Sequence, residues 1–238
     1  MDLQELRCYL NNLVAQLENQ DNSLLKKELK KLSSVFPFNE YEFILTFLVS
    51  RGTLNFDDYK ELREKYVFAN LYLDLYSLAP RIFGQVWGEQ HVRAIDARFM
   101  KPNKSVDPNY KGQYDLYIQK ESKIVRIEVK AARATATKKR GDVVSRALRR
   151  NATEPFWLNF QQLKPEICDV FIFIGVWVDE ILYWVMSAKE VEQNRHFSHQ
   201  HRGGIEYQIG ITHKNIKDFD VYKVEKKNLY DSVINKVV

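Results

Sequence analysis

The stretch QYDLYIQKESKIVRIEVKAAR, residues 113–133, constrains this chain more than any other. QYDLYIQ and KIVRIEVKAA each alternate apolar and polar residues, and the short polar turn KES joins them. Alternation on both sides of a short turn predicts an antiparallel hairpin. In its second strand Val125, Ile127 and Val129 point one way into a core, so Glu128 and Lys130 share the opposite face. Ionisable groups in mid-strand are costly unless they are paired or bound to something. Asp115, near the start of the first strand, reaches the same edge of the hairpin.

Two carboxylates converging there make a hard-oxygen site suited to Mg²⁺. A lysine beside them can hold the water that attacks a phosphodiester and stabilise charge on the phosphorus oxygens. An ordinary exposed Glu–Lys pair would need neither a third charged partner nor a basic flank, and both are present. The net charge is +5, and residues 120–150 carry eleven Lys/Arg against Glu121, Glu128 and Asp142, a local +8. Residues 1–60, by contrast, are slightly acidic, with seven Lys/Arg against nine Asp/Glu. Such concentration is the footprint of a polyanion ligand. Arg133, Lys138, Lys139, Arg140, Arg146, Arg149 and Arg150 are the candidate phosphate contacts, and Asn151 and Gln200-His201-Arg202 could touch bases.

The first eighty residues read as helices, beginning with a stripe of Leu3, Leu6, Leu10, Leu13 and Leu17. They suit packing or dimerisation and carry no nameable chemistry. A long helix is expected from Asn55 to Pro80, and RIFGQVWGEQHVRAI predicts another, with Glu89 on it. After the hairpin, FWLNFQQLKPEI reads as helical up to Pro165. CDVFIFIGVWVD and ILYWVMSA then pair as strands through Asp179-Glu180, and KKNLYDSVINKV closes the chain as a helix.

Asp115, twelve intervening residues and Glu128-Val129-Lys130 resemble the PD-(D/E)xK nuclease superfamily, of which type II restriction endonucleases are familiar members. Tyr114 stands where that motif has proline, and Asp107, in VDPNY, is the alternative first acid. The resemblance covers roughly residues 81–190. It implies an α/β fold with a restriction-endonuclease-like mixed central sheet flanked by helices, the helical N-terminal region 1–80 preceding a core over 81–238. Asp115 and Glu128 would bind Mg²⁺, with the Val129 main-chain carbonyl as a further ligand, and Lys130 would serve the attacking water. Glu89 would be an additional acid on the preceding helix, and Gln161 a polar residue on the following one. The implied activity is Mg²⁺-dependent cleavage of double-stranded DNA at a short specific site by a homodimer, with a cognate DNA methyltransferase encoded nearby. A repair or recombination nuclease with the same core is the alternative enzyme, and a non-catalytic sequence-specific DNA-binding protein the alternative outside enzymes.

Other chemistry has less support. His196, His199 and His201 have no cysteine near them and no further histidine at zinc-finger spacing. No nucleophile elbow and no Walker-type glycine loop occurs. Cys8 and Cys168 lie far apart, Met1-Asp2-Leu3 opens a polar helical pattern, and no apolar run approaches a bilayer span. A reduced, cytoplasmic protein with no membrane partner is the expectation.

Overall fold

The computed structural model describes residues 3–30, 37–121, 123–138, 141–199 and 206–237. Four helices come first: α1 (Leu3–Ala15), α2 (Asn19–Leu29), α3 (Pro37–Ser50) and α4 (Phe56–Ala69). Leu6, Leu10, Leu13 and Leu17 recur at helical spacing and bury against Leu25, Leu45, Leu48, Leu62 and Tyr66. These residues form a core of their own. The Asn55 side chain caps α4 by accepting from the Asp58 N–H at 2.8 Å.

The helix expected to run to Pro80 stops instead at Asn70. The next turn, a 3₁₀ helix over Leu73–Tyr76, buries Leu73 and Tyr76 in a different core, that of the sheet. The Tyr76 hydroxyl donates to the Val176 carbonyl at 2.7 Å and lies 3.0 Å from that of Ala134. This turn is thereby latched to the strands that carry the candidate site.

The main sheet holds five strands: β1 (Leu116–Lys120), β2 (Lys123–Arg133), β5 (Val170–Val176), β6 (Ile181–Ser187) and β9 (Lys223–Val224), in the order β1-β2-β5-β6-β9. β1 and β2 form the antiparallel hairpin, β2 and β5 run parallel, and β5–β6 and β6–β9 are antiparallel. Alternation sorts the faces. Val125, Ile127, Val129, Ile172, Ile174 and Val185 meet a layer of helices: a π-helical turn (Ile82–Trp87), α5 (Gly88–Ile95) and α7 (Leu229–Asn235). Phe171, Phe173, Trp184 and Met186 point the other way. β5, buried at every position, is the innermost strand.

The opposite layer differs from the sequence-based expectation. It is a second, antiparallel sheet, β3 (Thr135–Ala136), β4 (Phe156–Leu163), β8 (Tyr207–Thr212) and β7 (Phe197–His199), in the order β3-β4-β8-β7. Between β6 and β7 lies one short helix, α6 (Ala188–Glu192), opened by a capping box of Ser187 and Glu190. The segment read as a helix, FWLNFQQL, is β4, and Leu158 and Phe160 pack on the main sheet from it. The mixed α/β class is the one expected, but helices cover only one face of the main sheet and a second sheet takes the other.

Gly175 sets how closely the layers approach. A Cβ there would stand 2.8 Å from Leu158 Cδ1 and 2.8 Å from the Trp184 ring, both deeply buried. Gly175→Ala overpacks this contact and lowers stability by about 1–3 kcal/mol, read as a shift of the urea midpoint at unchanged slope. Among the described residues, no helix is long and apolar enough to cross a membrane.

Candidate active site

β1 stops opposite Ile127, while β2 continues to Arg133 alongside β5. No described strand pairs with β2 on the β1 side beyond that point. Asp115, the residue before β1, closes the ladder. Its N–H donates to the Ile127 carbonyl at 3.0 Å, and its Oδ2 accepts from the Val129 N–H at 2.8 Å. Asp115 is thus fixed against the strand segment that carries Glu128 and Lys130.

Glu128 and Lys130 lie on the β2 face turned toward the second sheet, on the same side as Ala132. Lys130 Nζ is 2.7 Å from Glu128 Oε1. Glu128 is 7% exposed, so its charge is expensive without compensation. Burial raises its carboxyl to about 7; Lys130 opposes the rise, and the Asp115 charge adds to it. Asp115 is also raised, chiefly by burial, against its bond from Val129 and the nearby Lys130 and Lys101. The Asp115 charge bears on the ionisation of Glu128, so the two carboxyls do not titrate independently. Beside them stand Tyr110 and the buried Cys168 thiol, both pushed up chiefly by burial and further by the Glu128 charge.

Two crowded acids with one ammonium form a site short of positive charge. Among the described residues, no three His, Cys, Asp or Glu side chains gather in a metal-ligating group. Mg²⁺, however, is commonly held through one or two carboxylates and keeps several waters. Asp115 and Glu128 fit that donor set, and a divalent cation would favour the ionised form of both buried carboxyls.

Glu89 is on α5 as expected and is buried, but its carboxylate pairs with Lys101. Asp107 is held in its loop: its Oδ2 accepts from the Tyr114 hydroxyl at 2.9 Å, and its Oδ1 from the Asn109 N–H at 2.9 Å. Of the two candidate first acids, Asp115 is the one beside Glu128.

The basic block divides. Arg133 Nη1 faces the carbonyls of Leu75, Tyr76 and Leu78 at 3.1, 3.1 and 2.8 Å, and the guanidinium lies over the Phe83 ring. It is committed to the 3₁₀ turn. Arg133→Met strands these acceptors and costs about 1–3 kcal/mol in chemical denaturation. Arg149 pairs with Asp179 at 3.2 Å, and Arg150 reaches Glu180 at 3.5 Å and the Trp177 ring. Lys138 and Asn151 are exposed. Lys139, Arg140, Gln200, His201 and Arg202 lie outside the described residues.

Directly beyond Lys130 on β2 a cleft of about 880 Å³ opens, with Ala131, Ala132 and Arg133 in its floor. Pro80, Phe83 and Gly84 wall one side, Trp157, Asn159, Gln161 and Gln208 the other, and Arg146 lies at its margin. Gln161 therefore reaches this cleft from strand β4, where the sequence reading placed it on a helix. The same misreading hides Trp157 and Asn159, while Gln208 faces Gln161 from β8. The alternation Trp157/Asn159/Gln161 was the signal available, visible only once the segment is read with period two. Comparison with protein-family models, curated proteins and solved structures gives no match to this chain.

Proposed function

We propose that the chain is a Mg²⁺-dependent endonuclease of the PD-(D/E)xK type, cutting double-stranded DNA at a short specific site as a homodimer. The observation that carries this reading is the convergence of Asp115, Glu128 and Lys130: a raised carboxyl bound to the Val129 N–H beside a second raised carboxyl paired with an ammonium. The main sheet agrees in outline with a restriction-endonuclease-like core: an antiparallel hairpin, a crossover, then a strand parallel to the hairpin's second arm. Here the crossover contains β4 in place of a helix.

Mg²⁺ held by Asp115, Glu128 and the Val129 carbonyl would supply Lewis acidity toward the phosphate and acidify a bound water. Lys130 has three N–H donors, one directed at Glu128, which leaves two for the attacking water and a non-bridging phosphate oxygen. Asp115, tied to Val129, holds the acids in register with the strand. Lys138, exposed, and Arg146, at the margin of the cleft beyond Lys130, give the phosphate chain a path away from the cut.

The test is incubation of purified protein with plasmid DNA, with and without Mg²⁺, followed by mapping of the ends. Discrete fragments that require Mg²⁺ support the reading, and structure-dependent nicking points to a repair nuclease. No cleavage with Mg²⁺ or Mn²⁺ overturns both.

A further inference from the structure

We infer that the cleft beyond Lys130 is a nucleobase subsite, in which one base of the substrate strand, turned out of the stack, lies on Trp157. The inference rests on the nuclease reading for what brings a nucleotide there. Its own basis is the cleft's composition and position.

Trp157 is 43% exposed, unusual for the largest apolar side chain within a sheet. A Cβ at Gly210 would stand 2.9 Å from its indole Nε1, so the bare backbone of β8 supports one side of the ring. The ring is held in place and still open to the cleft. Around it stand three carboxamides, with Gln161 and Gln208 opposite one another in the β4–β8 register. Asn159 Oδ1 is buried and has no hydrogen-bond partner among the described residues. An unpaired buried acceptor is unfavourable, and rotation of the carboxamide toward the cleft would let an N–H on a base edge satisfy it. Carboxamides offer a donor and an acceptor without charge, the complement of a base edge and not of a phosphate. Among the described residues, Arg133 and Arg146 are the charged ones lining the cleft, and no acid lines it.

Position supplies the second argument. At about 3.3 Å per residue along a strand, Ala131 to Arg133 lie within about 10 Å of Lys130. That is the reach from a phosphate at Lys130 to the base of an adjoining nucleotide. A base stacked inside a duplex cannot present its face to an indole, so the base received here is extrahelical or single-stranded.

The experiment uses the full chain carrying Glu128→Gln, so that no substrate is consumed. It is titrated with a labelled deoxyadenosine hexamer and with an abasic hexamer of equal charge, and binding is read by anisotropy and tryptophan quenching. The base-bearing strand is expected to bind roughly tenfold tighter or more. Trp157→Leu should remove that difference, Trp157→Phe should restore most of it, and Gln161→Ala, at an exposed position, should reduce it. Circular dichroism confirms that each variant is folded. Equal affinity for the two strands, or an advantage untouched by Trp157→Leu and Gln161→Ala, overturns the subsite. Mg²⁺-dependent cleavage by the wild-type chain is scored separately. Cleavage without a base effect removes the subsite alone, whereas a Trp157-dependent base effect without cleavage keeps the subsite and removes the nuclease.

Discussion

On the nuclease reading proposed above, Glu128→Gln and Lys130→Ala should each lower Mg²⁺-dependent DNA cleavage by at least about 10²–10³-fold, the usual cost of losing one preorganised electrostatic group. Gln keeps the size of Glu128 but neither its negative charge nor its strength as a metal ligand. Ala at 130 removes the ammonium that stands 2.7 Å from Glu128. Both variants keep the pattern of β2, whose core face is formed by Val125, Ile127 and Val129. DNA binding measured by anisotropy in Ca²⁺ should therefore remain, with a salt dependence close to that of wild type. The combination of lost turnover and retained binding separates a catalytic role from a folding defect. Wild-type cleavage by either variant would show that the site is misassigned.

A second large effect concerns stability against pH. Glu128 titrates at about 7 in the folded chain against an ordinary 4.5. Between those values the folded state binds more protons than the unfolded state, so stability falls as pH rises and levels off above about 7. The raised Asp115 contributes with the same sign. The loss over the window is on the order of 3 kcal/mol for Glu128. The groups facing this carboxyl are Asp115, Lys130, Tyr110 and Cys168. Metal-free thermal melts from pH 5 to 8 should show Tm falling, and Glu128→Gln should largely flatten the profile. Mg²⁺ at pH 8 should recover much of the loss in wild type, because it binds the ionised folded form. A flat wild-type profile, or one rising from pH 5 to 7, would contradict the burial and pairing described for Glu128.

The hairpin, the shared face of Glu128 and Lys130 and the approach of Asp115 were legible from residues 113–133, because strand alternation fixes facing locally. The β5–β6 pair was legible for a similar reason, as two apolar runs about one turn apart. β4 was not. Phe156, Phe160 and Leu163 are spaced as on one helix face, whereas Phe156, Leu158 and Phe160 are spaced as on a strand. The ambiguity comes from a bulge: Gln162 has φ +56°, and the register with β8 shifts between Gln161 and Leu163. Leu163 is buried by that shift. Only the pairing with β8, more than forty residues onward, decides the matter, and no local pattern records it. The commitment of Arg133 to Leu75, Tyr76 and Leu78 was equally hidden, since it spans more than fifty residues. A charge count treats such an arginine as one more cation on a basic flank.

The early end of β1 has a consequence for self-association. A strand edge without a neighbour is a template on which another chain can add. Among the described residues β2 offers such an edge beyond Ile127, where Glu128 and Lys130 lie, with the Asp115 carboxylate occupying the Val129 N–H. Charges that would hold a metal and a water also keep a foreign strand from docking. The site is thus its own guard against strand addition at this edge.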